Sequence, residues 1–134
     1  MKSWFVLGLV ACTVPVAAFA LDDEKKTIKE VMAKLHKGST SQQKALGKLA
    51  QANPPDWDAI GKVTKDFVIL GATLGKNDPP KGDKESWKKL SQAYLETSES
   101  LDKAAADKDL DKLKAAQKTM GASCKACHSA HKED

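Results

Sequence analysis

Residues 121–132 read Gly-Ala-Ser-Cys-Lys-Ala-Cys-His-Ser-Ala-His-Lys, and they close a long stripe of helical spacing. Upstream of them Leu110, Leu113, Gln117 and Met120 recur at intervals of three and four, and Cys124, Cys127, His128 and His131 continue the same face. Within the stretch, Cys124-Lys125-Ala126-Cys127-His128 is a C-x-x-C-H run, the attachment signature of a c-type haem. Two thiols add across the two vinyl groups of the macrocycle as thioethers, so both must project toward one ring. A spacing of three on a helix does that. The histidine after the second cysteine then offers its imidazole to the iron from the proximal side. Cys124 and Cys127 are therefore expected to hold one covalent haem c, with His128 as the proximal iron ligand.

Three other chemistries use such residues. A redox-active C-x-x-C pair belongs where a strand leads into a helix, whereas this pair lies near the end of a helix. A zinc site from Cys124, Cys127, His128 and His131 would crowd four ligands into two turns and strain the tetrahedron. A structural disulfide would leave the adjacent histidine without a purpose. Haem attachment explains all three residues at once.

Working outward, the rest of the chain is also helical in pattern, and strand signals are nearly absent. Ile28, Val31, Met32, Leu35 and His36 share one face, with lysines opposite. Asp22, Asp23 and Glu24 suit a first turn, Gly38 suits a helix end, and Thr40-Ser41-Gln42-Gln43 resembles a capping box. The expectation is a first helix over residues 22–52, bent or interrupted near Gly38. Asn53-Pro54-Pro55 breaks the chain, and a second stripe follows from Asp56: Trp57, Ile60, Thr64, Phe67, Val68, Gly71 and Leu74. After the Pro79-Pro80 loop, Asp83 is a candidate N-cap for a third stripe through Trp87, Leu90, Tyr94, Ser98, Leu101 and Ala105. Short connections between four helices predict an all-α, antiparallel four-helix bundle with the haem near its C-terminus.

The N-terminus reads as an export signal. Met1-Lys2 supplies the positive start, Trp4 to Val10 a short apolar run, and Ala18-Phe19-Ala20 the small-x-small cleavage pattern. Residues 1–20 are thus expected to be cleaved, leaving residues 21–134 as a single periplasmic domain. Leu9-Val10-Ala11-Cys12 also resembles a lipobox, and processing there would lipidate Cys12 and tether the protein to a membrane. The net charge of the 134-residue chain is +4, spread evenly, and every basic residue is lysine. Such a balance describes a solvated surface and excludes the clustered basic stripe that nucleic acid requires.

The sequence from Gly121 to Lys132, with its haem motif near the C-terminus, resembles the class II c-type cytochromes, the cytochrome c′ family. The resemblance covers the mature chain in architecture, but only the last dozen residues are specific. It implies a four-helix bundle, makes a homodimer plausible, and implies either of two functions. An open sixth position at the iron gives a high-spin protein binding nitric oxide or carbon monoxide. A methionine from the first helix gives a low-spin electron carrier that docks redox partner proteins. Family members commonly carry an aromatic and then a basic residue where His131 and Lys132 stand. The lack of arginine departs from many of them.

Met32 occupies the first-helix position from which the resemblance expects the distal ligand, with ordinary core packing as the alternative. His36, one turn further on the same stripe, is the alternative distal ligand, because imidazole binds ferric iron well. Met120 and His131 share the face of His128 and cannot reach the opposite side of the iron. Trp57, Trp87 and Tyr94 suit a core or a haem wall, Trp87 above all. Nothing in the sequence resembles an acid–base or nucleophilic catalytic set, so an electron carrier is expected rather than an enzyme.

Overall fold

Four of the five described helices begin at a polar side chain that accepts from one of their first free amides. In the computed structural model, which describes residues 26–133, α1 spans Ile28–His36, α2 Gln42–Leu49, α3 Trp57–Gly75, α4 Lys84–Ala106 and α5 Leu110–His131. No strand occurs among the described residues. Asp56, Asp83 and Asp109 cap α3, α4 and α5 by accepting from the amides of Ala59, Ser86 and Lys112 at 2.9, 2.7 and 3.0 Å. Hydrogen bonds from Lys112 hold the Asp109 carboxyl below the usual carboxylate range. The expected helix signals at Asp56 and Asp83 are therefore in place.

The first arm departs from expectation. The helix begins at Ile28, and residues 22–25 lie outside the described part. Its start is a capping box that the sequence reading passed over: the Thr27 amide donates to Glu30 Oε2 at 2.7 Å, and the Glu30 amide donates to Thr27 Oγ1. The box expected at residues 40–43 does not form. Ser41 precedes α2, but its side chain makes no capping bond, and its buried hydroxyl has no partner. Between the two helices Lys37 is extended and Gly38 takes φ +86°, so the anticipated bend is a complete break.

α1 and α2 together replace one long arm laid along α3. The Asn77 side-chain amide donates to the Lys26 carbonyl at 3.1 Å, and Lys34 pairs with Asp66 at 3.0 Å, so α1 runs antiparallel to α3. Gln42, at the start of α2, donates to the same Asp66 at 2.7 Å. α3 packs on α4 along its length, tied by the Thr64 hydroxyl to Asp102 at 2.7 Å, and α4 packs on α5. The shared core holds Val31, Leu35, Leu46, Phe67, Leu101 and Leu113, all at most 1% exposed. Leu70 joins it on α3, while Trp57 and Val68, expected on the core stripe, are only half-buried.

One seam of the bundle stays unpaired. No Cα of α1 comes within 8 Å of α5, although both pack into the same assembly. The far end of α5 is instead pinned to the α3–α4 loop at Gly82. Gly82 has φ +83°, and a Cβ there would fall 2.6 Å from the Ala130 carbonyl oxygen and 2.9 Å from His131 Nδ1. Gly82→Ala should therefore lower stability by about 2 kcal/mol in thermal or urea unfolding, through both strain and overlap. Gly47→Ala, in helix with nothing within 4 Å of its Cβ, should raise stability by about 0.5–1 kcal/mol.

Candidate haem site

α5 remains helical through the whole motif, and that continuity aligns the three residues. At about 100° per residue, Cys127, Cys124 and His128 fall within a single arc of roughly 100°. Leu113, Ala116, Met120 and His131 mark the buried line of α5. The two cysteines lie along that line, half-buried, and His128 stands at its edge, exposed. The Cys124 thiol donates to the Met120 carbonyl at 3.5 Å, and both cysteines are free thiols. Burial, and then the neighbouring Cys124, push the Cys127 thiol up from its ordinary value. Both sulfurs are thus unbridged and free to add to a vinyl group.

α1, α2 and α4 contribute a polar cluster. His36 is half-buried between Phe67 and Tyr94, whose rings meet its own edge to face with centroids at 5.8 and 5.9 Å. Its Nδ1 lies 2.6 Å from Gln43 Oε1 and its Nε2 2.7 Å from the Tyr94 hydroxyl. An amide oxygen only accepts, so Nδ1 carries the proton and Nε2 accepts from Tyr94. Burial, which outweighs the hydrogen bond that His36 donates to Gln43, lowers the His36 pKa from 6.5, and the charge of His128 acts in the same direction. Burial and the charge of Cys124 raise the Tyr94 hydroxyl well above its ordinary 10. His36 and Tyr94 thus feel the charges of His128 and Cys124 in the motif. Met32, one turn before His36, is half-buried against the core on that side of α1.

The remaining histidine is fully engaged. His131, 2% exposed, donates from Nδ1 to the Lys81 carbonyl at 2.9 Å, and its Nε2 accepts from Ser86 at 3.1 Å. Trp87 packs edge-on against its ring with centroids at 5.3 Å and donates its indole N–H to the Asn77 carbonyl at 2.7 Å. Trp87 thus lies beside the last turn of α5, next to the motif, as part of the lock that holds that turn.

The residues fit a covalently held haem. Two free thiols and one imidazole share one arc of α5, and no Cα of α1 comes within 8 Å of that helix. No three His, Cys, Asp or Glu side chains converge to hold a metal ion among the described residues. The sequence reading missed the Gln43–His36–Tyr94 chain and the His131 lock. Both join residues far apart in sequence, so no local pattern announces them.

Comparison with known proteins bears on the same region. Residues 82–132, which contain α4 and α5, match the family model described as Cytochrome C'. Over 51 residues the chain is 47% identical to a curated cytochrome c' from Alcaligenes xylosoxydans xylosoxydans, a match covering 38% of this chain and 40% of the relative. No solved structure matches significantly. Both matches lie in the C-terminal part of the chain, which is similar there to the cytochrome c' family, whose members are four-helix bundles. They bind covalently attached haem c, typically one per chain. α1 and α2, with Met32 and His36, lie outside the matched segment.

Cys124→Ala/Cys127→Ala should leave the matured chain without covalently bound haem by intact mass, while far-ultraviolet circular dichroism stays helical. A pH dependence follows from His36. Its pKa in the folded chain lies below 6.5, so on acidification the unfolded chain takes up the proton first and stability falls. Tm should therefore decline as pH drops through about 6.5, and His36→Gln should flatten that decline.

Proposed function

We propose that the chain is an exported, periplasmic mono-haem c-type cytochrome that carries single electrons between redox partner proteins. Cys124 and Cys127 would attach the haem, His128 would be its proximal ligand, and Met32 its distal ligand. The observation that carries the reading is the meeting of two free thiols and a ring without hydrogen-bond partners on one arc of α5, beside an unpaired seam. When bound, the haem supplies an iron that cycles between Fe(II) and Fe(III).

The chain's own residues then set the conditions. The continuous α5 presents His128 in one orientation, and the buried residues beside it limit water around the site. A thioether donor from Met32 favours the softer ferrous state and raises the reduction potential. Met32 is supported by its half-burial and by its place one turn from His36, on the side of α1 that looks toward Tyr94. Trp87 supports the site from the end of the bundle. No residue is assigned a catalytic role. Periplasmic placement is supported by the signal pattern at residues 1–20, which lie outside the described part; no described helix is long and apolar enough to cross a membrane. The lipobox at Cys12 falls in the same undescribed part.

A second reading, a high-spin five-coordinate protein binding nitric oxide or carbon monoxide, is favoured by the name of the curated relative, cytochrome c'. Visible spectra in both oxidation states separate the two. Sharp paired bands in the reduced protein are expected for six-coordinate low-spin iron, and a broad high-spin spectrum would sink the Met32 assignment. Met32→Ala should convert the spectrum to high-spin and open the iron to carbon monoxide. An unchanged spectrum would remove Met32 from the coordination sphere.

A further inference from the structure

The chain has three histidines, and among them only the ring of His128 has no hydrogen-bond partner. His131 spends both nitrogens on Lys81 and Ser86. His36 spends both on Gln43 and Tyr94. The geometry points to Tyr94 as the residue that keeps His36 off the iron and so preserves the sixth position for Met32 or for an external ligand, with Gln43 fixing the ring for it. This inference rests on the haem reading above.

Tyr94 and the iron would compete for one lone pair of His36. Neutral imidazole has a single lone pair in its plane, here on Nε2, because Gln43 holds the proton on Nδ1. That lone pair is the only atom of His36 able to bind a metal. Tyr94 donates its hydroxyl into it at 2.7 Å. Burial keeps the tyrosine proton in place, so the donor persists at ordinary pH. The ring is also held edge-on by Phe67 and Tyr94, which limits rotation about the side chain. On α4 the Tyr94 ring is seated against Gly71, where an added Cβ would lie 3.3 Å from it, so α3 and α4 set its position. Without the hydroxyl, a half-buried imidazole would be left with an unpaired acceptor, a costly state that coordination to ferric iron relieves. Imidazole suits iron, whereas thioether is the softer donor. The exchange should therefore appear first in the ferric protein. Tyr94 acts here as a positioning residue.

The test uses the matured, haem-loaded protein and compares ferric visible and electron paramagnetic resonance spectra of the wild type, Tyr94→Phe, and Tyr94→Phe/His36→Leu. Tyr94→Phe keeps the ring and removes only the donor. It should show a bis-imidazole low-spin species in the ferric state, with loss of the thioether-to-iron absorption if Met32 is the ligand, or loss of the high-spin signal if the position is open. The double variant should return to the wild-type spectrum. An unchanged ferric spectrum in Tyr94→Phe overturns the inference, as does a wild type that is already bis-imidazole and loses that signature in His36→Leu. Should Tyr94→Phe fail to mature, Gln43→Leu removes the other restraint and should give the same species in smaller yield; no such species there also overturns it. The two readings fail separately. A Met32→Ala spectrum equal to wild type sinks methionine ligation but leaves the Tyr94 comparison intact on a high-spin baseline.

Discussion

A single unbroken helix from Leu110 to His131 is the constraint on which the site rests. Only a continuous helical pitch turns the spacing of Cys124, Cys127 and His128 into a shared arc. Helix ends fray unless their last carbonyls and side chains find partners, and this helix carries its functional residues in its last two turns. The chain answers by anchoring the final turn from outside. His131 bonds to the Lys81 carbonyl and to Ser86, Trp87 lies against its ring, and Gly82 makes room where another residue would strike Ala130. The turn that presents His128 is thus held by the start of α4.

The second consequence of the packing is a division of labour across the seam. α4 touches both sides: its N-terminal turn locks α5, and Tyr94, two turns on, reaches His36 on α1. α1 is held to α3 by Lys34 on Asp66 and by Asn77 on the Lys26 carbonyl, not by α5. On the function proposed above, a flat macrocycle held by α5 would occupy that seam, in keeping with the near-crystalline filling of protein interiors.

Much of this was legible in the chain itself. The stripes of α3, α4 and α5 follow helical periodicity closely, because each helix buries one face against a continuous neighbour. Asp56 and Asp83 announce their helices because a short acceptor before an apolar run has few other uses. The first arm was harder. Gly38 signalled a bend, but the full break depends on Lys37 becoming extended and on α2 settling over Asp66 from another helix. Ser41 looked like a cap and is buried without one. The true box at Thr27 and Glu30 was obscured by the acidic run before it, which offered a competing helix start.

The sequence by itself determined the helical class, the starts of α3 and α4, and the candidate haem-attaching residues, since these depend on periodicity and on spacings within one turn. The tertiary structure alone decided which imidazoles are occupied. His36, His128 and His131 are the same side chain in the sequence, and only contacts with Tyr94, Gln43, Ser86 and the Lys81 carbonyl tell them apart. Those partners come mostly from other helices or from a distant loop, and a hydrogen bond depends on distances that no one-dimensional pattern contains.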